Sequence, residues 1–453
     1  MTINDIRVVT GGELFLNGAS LETCIGNVYM DSRKIEKGDV FVAAKGDKTD
    51  GHAYIGDVFA KGASLVICER KPEEENGAVL VVPSSISALK DIAAAYRETV
   101  CVPVVGITGS VGKTSTKEMV ASVLSVAGPV LRTEGNMNNT LGLPMMVMRM
   151  RKEHTAAVLE MGISDFGEMH ELSREAKPDV CVITNIGQCH LEFLHSRDGI
   201  LKAKSEIFDY MSEDGSVYLN GDDDKLRTIT EVKGKRPVFF GLSVTNDFYA
   251  DNVVSKGLFG TSCMIHTPEG SFDVSIPLPG RHMIYNALAA AAVGMHFNLS
   301  FDQIREGIAA AKAMGGRSNI MRLSDMVVID DCYNASPQAM RGALDLLSTA
   351  NTRKVAILGD MFELGDNEEA LHREIGTYCA GRADILVCVG KLSRFMKEGA
   401  EGQTECICFE TLKELKEKLP DILNADDTIL VKASHGMHFS EIVDLLKEKG
   451  GIV

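Results

Sequence analysis

The sequence lacks the features that mark membrane-spanning and secreted proteins. No apolar run approaches the length that crosses a bilayer, and the opening segment MTINDIRVVTGGELF has no basic stretch followed by an apolar one. The 11 cysteines include no Cys-x-x-Cys pair, and most lie in apolar runs typical of strands, which favours buried thiols over a disulfide framework. We therefore expect a cytoplasmic protein with no membrane-inserted segment.

Basic residues are scarce relative to acidic ones. The chain has 47 lysines and arginines against 63 aspartates and glutamates, which gives a formal net charge of −16. This charge opposes a general attraction to nucleic acid or to an anionic membrane, so any phosphate-binding site must be local. The apolar share of 45% is ordinary for a folded protein, and it excludes extensive disorder.

The chain length and the order of its apolar segments predict an α/β protein of three domains. Short strand-like runs indicate a small α/β domain over residues 1–83. A regular alternation of strand, loop and helix then indicates a central domain with a largely parallel sheet over residues 84–314. The alternation restarts after the pair Gly315-Gly316 and indicates a doubly wound, Rossmann-like domain over residues 315–453.

Apolar runs bounded by turn residues mark the predicted strands of the two larger domains. In the central domain they cover residues 104–108, 157–160, 180–184 and 216–219, with a more antiparallel stretch over 248–279. In the C-terminal domain they cover residues 326–330, 355–358, 385–389 and 428–431. Sheets of this kind bind ligands at the carboxyl ends of their parallel strands, where we expect the functional site.

A glycine-rich loop between a strand and a helix is the strongest local signal. Small residues let successive backbone N–H groups face phosphate oxygens, a lysine adds a cation, and a hydroxyl is available to Mg²⁺. The candidate phosphate-binding residues are Thr108, Gly109, Ser110, Val111, Gly112, Lys113, Thr114 and Ser115. The usual pattern has a glycine where this chain has Ile107, which argues against an ordinary kinase or GTPase. The alternative is a glycine-rich turn with an accidental lysine.

Two polar residues follow apolar strands that lead toward the same edge of the sheet. Glu160 ends one strand, and His190 comes a few residues after another. A carboxylate and a neutral imidazole are reasonable ligands for a divalent cation when substrate phosphate completes its coordination. By pattern alone, Glu160 could equally be a helix cap and His190 a surface residue.

Several segments, taken together and in order, resemble the Mur ligase family of peptidoglycan synthesis. They are Thr108-Gly-Ser-Val-Gly-Lys-Thr114, Gly135-Asn-Met-Asn138-Asn139 with Gly142-Leu-Pro144, Glu160-Met-Gly162, Asn185 to His190, Asn286 with its alanine-rich helix, Gly316-Arg317, and Asp330-Asp-Cys-Tyr-Asn-Ala-Ser-Pro337. The resemblance spans all three predicted domains. It implies an ATP-dependent ligase whose central domain has a P-loop ATPase-like sheet.

Within that family, further segments resemble the member that adds D-alanyl-D-alanine to UDP-N-acetylmuramoyl-tripeptide. They are Asp31-Ser-Arg33, Asp50-Gly-His52, Tyr333-Asn334-Ala335 and Gly359-Asp-Met-Phe-Glu-Leu-Gly365 followed by His372. The Asp-Asn-Pro-Arg motif of the ligase that adds diaminopimelate is missing. The resemblance therefore implies these two substrates, and we expect a monomer. The alternatives are a folylpolyglutamate synthase, an earlier Mur ligase, and a nucleotide-binding regulatory protein that does not ligate.

The resemblance also implies roles for individual residues. Lys113 would hold the ATP phosphates, Thr114 and Glu160 would bind one Mg²⁺, and His190 would help to bind a second. The substrate carboxylate would attack the γ-phosphate, and the amine would then attack the resulting acyl phosphate. Lys204 matches a family lysine that adds CO₂ to become a carbamate, which requires a pocket that lowers its pKa. Its alternative is a solvated helix lysine.

The remaining implied residues divide among the three ligands. Asn286, Arg317 and Asp331 would contact ATP. The residues expected to contact the other two substrates are Asp31, Ser32, Arg33, Asp50 and His52 for the uridine diphosphate end, and Asn138, Asn139, Tyr333, Asn334, Asp360 and Glu363 for the acyl and dipeptide end. One departure is clear, because His435 stands where the family commonly has arginine. A permanent cation is thus replaced by a group that titrates near neutral pH.

Overall fold

The structure is a computed structural model that describes residues 1–46, 49–73 and 76–450. It confirms the predicted α/β class and its three domains. The N-terminal domain contains α1 (Ile3–Thr10), α2 (Ile55–Ala60), β1 (Glu13–Phe15), β2 (Val28–Tyr29), β3 (Val40–Val42), β4 (Leu65–Cys68) and β5 (Val79–Val81), and α3 (Ser85–Thr99) follows it. Its sheet has the order β1-β5-β4-β3-β2, with antiparallel pairing only between β1 and β5 among the described strands.

The central domain has one large mixed sheet with the order β14-β13-β12-β11-β10-β9-β6-β8-β7. Its strands are β6 (Val104–Thr108), β7 (Val130–Arg132), β8 (Ala156–Glu160), β9 (Val180–Ile183), β10 (Ser216–Asn220), β11 (Val238–Gly241), β12 (Phe248–Ser255), β13 (Thr261–Thr267) and β14 (Gly270–Ile276). Its helices are α4 (Lys113–Leu124), α5 (Gly142–Val147), α6 (Glu168–Ala176), α7 (Leu191–Leu194), α8 (Arg197–Ser205), α9 (His282–His296) and α10 (Phe301–Ala309). The last three strands pair antiparallel, as predicted.

The C-terminal sheet has the order β15-β16-β20-β17-β18-β19. Its strands are β15 (Asn319–Arg322), β16 (Val327–Asp330), β17 (Lys354–Gly359), β18 (Ile385–Val389), β19 (Glu405–Phe409) and β20 (Thr428–Lys432). Its helices are α11 (Pro337–Ser348), α12 (Glu368–Tyr378), α13 (Arg394–Ala400), α14 (Leu412–Ile422) and α15 (Ser440–Gly450). Strands β16 to β19 pair in parallel, which fits the predicted doubly wound domain.

Burial explains why the parallel strands read as continuous apolar runs. Helices cover both faces of the central sheet, so every residue of β6, β8 and β9 is buried. Helix α9 is apolar on most sides because it packs between α4 and strands β10 to β13. The edge strands β7, β15 and β19 lack this signal, and the sequence did not predict them. The sequence also did not predict β11, although most of its residues are buried. Among the described residues, no helix has both the length and the apolar character to cross a membrane.

Helices α12 and α13 pack so closely that a glycine is required between them. A Cβ added at Gly376 in α12 would lie 1.8 Å from the Met396 carbonyl oxygen in α13. Gly342 in the middle of α11 is a matched helical glycine, and a Cβ added there meets no described atom within 4 Å.

We expect Gly376→Ala to destabilise the protein by about 2 kcal/mol, because the added methyl group forces two backbones apart. Gly342→Ala should instead stabilise it by roughly 0.5–1 kcal/mol, because alanine loses less backbone entropy in a helix. Urea unfolding monitored by circular dichroism measures both. Equal midpoints for the two variants would contradict the close packing of α12 and α13.

Candidate active site

A cavity of about 740 Å³ lies between the central and C-terminal domains. It is at the carboxyl ends of β6, β8 and β9, where the sequence predicted the functional site. The predicted site residues that line it are Ser110, Val111, Gly112, Lys113, Ser115, Asn138, Asn139, Glu160, His190, Asn286, Arg317, Asp331, Tyr333, Asn334 and Glu363. Two domains therefore contribute to one site.

The glycine-rich loop has a backbone that only small residues can adopt at two points. Gly109 has a φ of 145°, and a Cβ there would lie 2.0 Å from the Thr184 hydroxyl oxygen. Gly112 has a φ of 85° and directly precedes helix α4. Asn185 clamps the loop between them, because its side chain accepts from the Val111 N–H at 3.0 Å and donates to the Val111 carbonyl at 2.7 Å.

Ile107, which stands where the usual phosphate-loop pattern has a glycine, belongs to strand β6. Strand β6 continues to Thr108, and Ile107 is fully buried in the core below the sheet. The loop turns only at Gly109, so the glycine of the usual pattern is not needed here. The Thr108 side chain is also buried and does not line the cavity. Thr108 therefore belongs to the site only as the last residue of the strand that leads into the loop.

Lys113 folds back over the loop. Its ammonium donates to the Gly109 carbonyl at 2.9 Å and lies 3.5 Å from the Ser110 carbonyl. An anionic phosphate oxygen accepts a stronger hydrogen bond from an ammonium than these neutral carbonyls do. The N-terminus of α4 adds partial positive charge at the same place. The arrangement is therefore suited to the phosphates of a nucleotide.

Glu160 joins three segments of the central domain. One carboxylate oxygen accepts from the Thr114 hydroxyl at 2.7 Å, and the other accepts from the Asn138 amide at 2.7 Å. Its backbone N–H donates to the Thr133 hydroxyl at 2.9 Å, and the residue is 1% exposed. The Thr114 hydroxyl and the Glu160 carboxylate are the hard oxygen donors that Mg²⁺ prefers, with phosphate and water as further ligands. The described residues contain no group of three or more His, Cys, Asp or Glu side chains that could hold a metal.

His190 and Glu363 meet across the domain interface. The Nδ1 atom of His190 lies 2.5 Å from the Glu363 carboxylate, and both residues have a positive φ. This hydrogen bond lowers the pKa of Glu363, while partial burial opposes the shift. The sequence predicted both residues for the site, but in different roles, and the structure brings them into contact.

Lys204 is buried below the phosphate loop. Its side chain is 0% exposed, and within the described part of the chain its ammonium has no hydrogen-bond partner. Burial lowers its pKa from 10.5 to about 8, with a smaller contribution in the same direction from the nearby charge of Lys113 and an opposing one from Cys189. The alternative of a solvated helix lysine is wrong for Lys204. The pocket that carbamate formation requires is therefore present.

The cavity lining also includes Asn286 of α9 and, from the C-terminal domain, Arg317 and Asp331. Asn286 accepts from the Thr116 hydroxyl at 2.9 Å, and the Arg317 guanidinium lies 4.0 Å from the centre of the Tyr333 ring. Asp331 accepts from the Ser318 N–H at 2.8 Å, and its other oxygen lies 2.6 Å from the Lys432 ammonium.

The cavity also contains residues for which the sequence assigned no role. Among them are Thr184, His282, Tyr285, Gln338 and Lys432. Lys432 could have been predicted from the sequence, because it ends an apolar strand, as Glu160 does. His435, at the position where the family commonly has arginine, packs against Tyr333 with 5.4 Å between ring centres and faces the same cavity. Its position thus keeps it near any anionic ligand there.

The predicted residues of the N-terminal domain lie outside this cavity. Asp31 caps a short 3-10 turn that contains Ser32, and it pairs with Arg33, whose side chain is 88% exposed. The Asp50 carboxylate lies 2.7 Å from His52 Nδ1, and the second imidazole nitrogen of His52 accepts from the Glu69 N–H at 3.0 Å. His52 is thus held in place on both sides, and Arg33 is held by Asp31 while its side chain stays exposed.

Asp360 also lies outside the cavity lining. Its carboxylate accepts from the backbone N–H groups of Lys391, Leu392 and Ser393, with the shortest at 2.6 Å. His372 supports the same segment, because its Nε2 accepts from the Met361 N–H and its Nδ1 lies 2.6 Å from the Glu368 carbonyl. Both side chains shape the segment that carries Glu363.

Together, the phosphate loop, the buried Glu160 and the second α/β domain define a multidomain nucleotide-binding enzyme. Family models match most of the chain: the Mur ligase family catalytic domain over residues 25–106, the Mur ligase middle domain over 107–294, and the Mur ligase glutamate ligase domain over 316–435. The chain belongs to the Mur ligase family.

Similarity to individual members extends over the whole length. The chain is 37% identical to UDP-N-acetylmuramoyl-tripeptide--D-alanyl-D-alanine ligase of Bacillus subtilis over 99% of this chain and 98% of that protein. The crystal structure of MurF from Acinetobacter baumannii superposes with a TM-score of 0.90 at 34% identity and covers 98% of both chains. MurF ligase from Thermotoga maritima, solved in complex with ADP, superposes with a TM-score of 0.82 at 28% identity over 93% of this chain and 97% of that one.

The lowered pKa of the buried Lys204 amine predicts that the free energy of unfolding depends on pH. The folded state binds the Lys204 proton less tightly than the unfolded state, so between pH 8 and 10.5 the unfolded state holds more protons and folding gains stability as the pH rises. In CO₂-free buffer at pH 7, Lys204→Met should be more stable than the unmodified chain by about 3 kcal/mol. This difference should shrink as the pH rises through that window.

Urea unfolding at several pH values under argon measures the effect. Lys202→Met is the matched control, because Lys202 is exposed two residues away on the same helix. A Lys204→Met advantage that does not change with pH would contradict the lowered pKa.

Proposed function

We propose that this chain is the ATP-dependent ligase that adds D-alanyl-D-alanine to UDP-N-acetylmuramoyl-tripeptide, giving the pentapeptide, ADP and phosphate in peptidoglycan synthesis. The observation that carries this proposal is the similarity to the Bacillus subtilis ligase of that name, which covers 99% of this chain and 98% of that protein. The site supports it, because a phosphate loop and residues of a second domain face one cavity.

Phosphoryl transfer is the first step for which this site is suited. Lys113 and the loop N–H groups hold the β- and γ-phosphates of ATP, with Arg317 also near the phosphates. Asn286 of the central domain lies near the adenine, and Asp331 lies near the ribose. Mg²⁺ at Thr114 and Glu160, with His190 near a second ion, would neutralise charge on the transferred phosphoryl group. The tripeptide carboxylate attacks the γ-phosphate, and the C–O–P linkage of an acyl phosphate forms as ADP leaves.

Amide formation is the second step. The amine of D-alanyl-D-alanine attacks the acyl carbon and the C–N bond forms. The bond between the acyl carbon and the phosphate oxygen breaks, phosphate leaves with that oxygen, and the amine loses a proton. Asn138, Asn139, Tyr333, Asn334 and Glu363 line the cavity where this carbon must lie. Asp360 acts here as a positioning residue, because its carboxylate accepts hydrogen bonds from the backbone N–H groups of Lys391, Leu392 and Ser393 and so anchors the start of the segment that leads to Glu363. Water must be excluded, since it hydrolyses an acyl phosphate.

We assign the uridine diphosphate end of the substrate to the N-terminal domain. Arg33 is the principal candidate contact, because its exposed guanidinium can form two hydrogen bonds with a phosphate. Ser32 lies in the same short turn, and Asp31, Asp50 and His52 shape the two loops. The proposal therefore requires a substrate that extends from these loops to the interdomain cavity.

A carbamate on Lys204 fits the buried and unpartnered amine. With a pKa near 8, a substantial fraction of this amine is neutral at physiological pH, and only the neutral form reacts with CO₂. The product is an anion in a place where Lys113 and Mg²⁺ bring positive charge. Its role is to orient those cations.

The activity is tested by phosphate release from ATP with purified protein and UDP-N-acetylmuramoyl-tripeptide, with and without D-alanyl-D-alanine. We expect release to require both substrates, and the product to gain the mass of the dipeptide less water. Lys113→Ala should abolish release, because it removes the cation from the phosphate loop. Release with glutamate or another single amino acid would point to a sister ligase, and turnover without either substrate would favour a regulatory ATPase.

The carbamate is tested by Lys204→Ala. We expect at least a tenfold loss of kcat, on the order of the effect of removing one charged group from a catalytic site. Added short carboxylic acids should restore part of the activity, because they supply the missing anion. Lys202→Ala is the control and should remain active without them. A folded Lys204→Ala variant that no acid rescues would contradict the carbamate.

A further inference from the structure

Two cysteines lie opposite each other at the edge of the C-terminal sheet, away from the cavity. Strands β18 and β19 pair in parallel, with Cys388 directly opposite Cys408. Side chains directly opposite in a parallel pair point to the same face of the sheet. Neighbouring strands are about 4.8 Å apart, which falls within the roughly 4.4–6.8 Å Cα separation that a disulfide spans.

The two thiols differ in access to solvent. Cys388 is 0% exposed and lies in the core beneath helix α13, whereas Cys408 is exposed on the edge strand. A solvent-borne oxidant can therefore reach Cys408 but not Cys388. This is the arrangement of a reactive thiol next to a resolving thiol.

The surroundings favour a thiolate at Cys408. The neighbouring Cys388 thiol lowers the pKa of Cys408 to about 7, with a smaller effect of the Lys397 charge in the same direction, while partial burial opposes the shift. The interaction with Cys408, together with burial, raises the pKa of Cys388. Reactive thiols share this combination of partial exposure and nearby positive charge.

We propose that Cys388 and Cys408 form a reversible redox pair, in which a hydroperoxide oxidises Cys408 and Cys388 then closes a disulfide between β18 and β19. In the first step the Cys408 thiolate attacks a peroxide oxygen, an S–O bond forms, the O–O bond breaks, and the leaving oxygen takes a proton. In the second step Cys388 sulfur attacks the sulfenic sulfur of Cys408, the S–S bond forms, and hydroxide leaves with the Cys388 proton as water. The two sulfurs lose two electrons, and the peroxide gains them.

Two other cysteines have different partners, so they do not compete for this pairing. Cys406 lies on the same strand but is opposite Leu386, and its thiol donates to the Thr404 carbonyl at 3.3 Å. Cys24 is also exposed, but the residue opposite it in an isolated β-bridge is Thr2.

The test treats the reduced, full-length protein with hydrogen peroxide, blocks the remaining thiols and maps peptides by mass spectrometry. We expect a cross-linked pair of peptides containing Cys388 and Cys408, formed before Cys24 is oxidised and reversed by dithiothreitol. Cys406→Ser should form the same cross-link. Cys388→Ser should leave a sulfenic acid on Cys408 that dimedone traps, and Cys408→Ser should leave Cys388 reduced.

Three results would overturn the proposal, and all are read from the unsubstituted chain. They are oxidation of Cys408 beyond the sulfenic acid with no cross-link, a cross-link that joins Cys406 to Cys379 instead, and oxidation of Cys24 at the same rate as Cys408. These outcomes are measured on the unsubstituted chain, so the proposal can be contradicted even if a variant fails to fold.

Discussion

A hydrogen bond from the Thr114 hydroxyl to the Glu160 carboxylate joins the first turn of helix α4 to the last residue of strand β8. The rest of the site depends on this contact, because it sets the phosphate loop against the neighbouring strand and places a carboxylate beside the loop. The chain as a whole is strongly acidic, so it cannot attract phosphate by net charge. Positive potential is instead concentrated at Lys113 and at the N-terminus of α4.

The second constraint is that no single domain completes the site. The central domain supplies the phosphate loop, whereas Arg317, Asp331 and Glu363 come from the C-terminal domain. The contact between His190 and Glu363 shows that the two walls already touch in this conformation. A ligase with an acyl phosphate intermediate gains from such a division, because bringing domains together can assemble the ligands and exclude water in one motion.

The sequence predicted those features that depend on local order along the chain. Strand β6, the glycine-rich loop and helix α4 follow from adjacent residues, and Glu160 could be placed because a polar residue ended an apolar strand. Contacts between distant segments had no such signal. The Lys432–Asp331 pair, the His190–Glu363 contact and the capping role of Asp360 each join residues that only the fold brings together. Family resemblance named several of these residues, but not their partners. The exact domain boundaries at residues 83 and 314 stay predictions.

The account's central claim is that ATP activates the tripeptide carboxylate, and transfer of an oxygen isotope tests it most directly. The carboxylate of UDP-N-acetylmuramoyl-tripeptide is labelled with a heavy oxygen isotope, the reaction is run with ATP and D-alanyl-D-alanine, and the released phosphate is analysed by mass. An acyl phosphate transfers one carboxylate oxygen to phosphate when the amide forms. We therefore predict one heavy oxygen in the phosphate for each amide made. Phosphate without label, alongside normal amide formation, would contradict carboxylate activation by the phosphate loop.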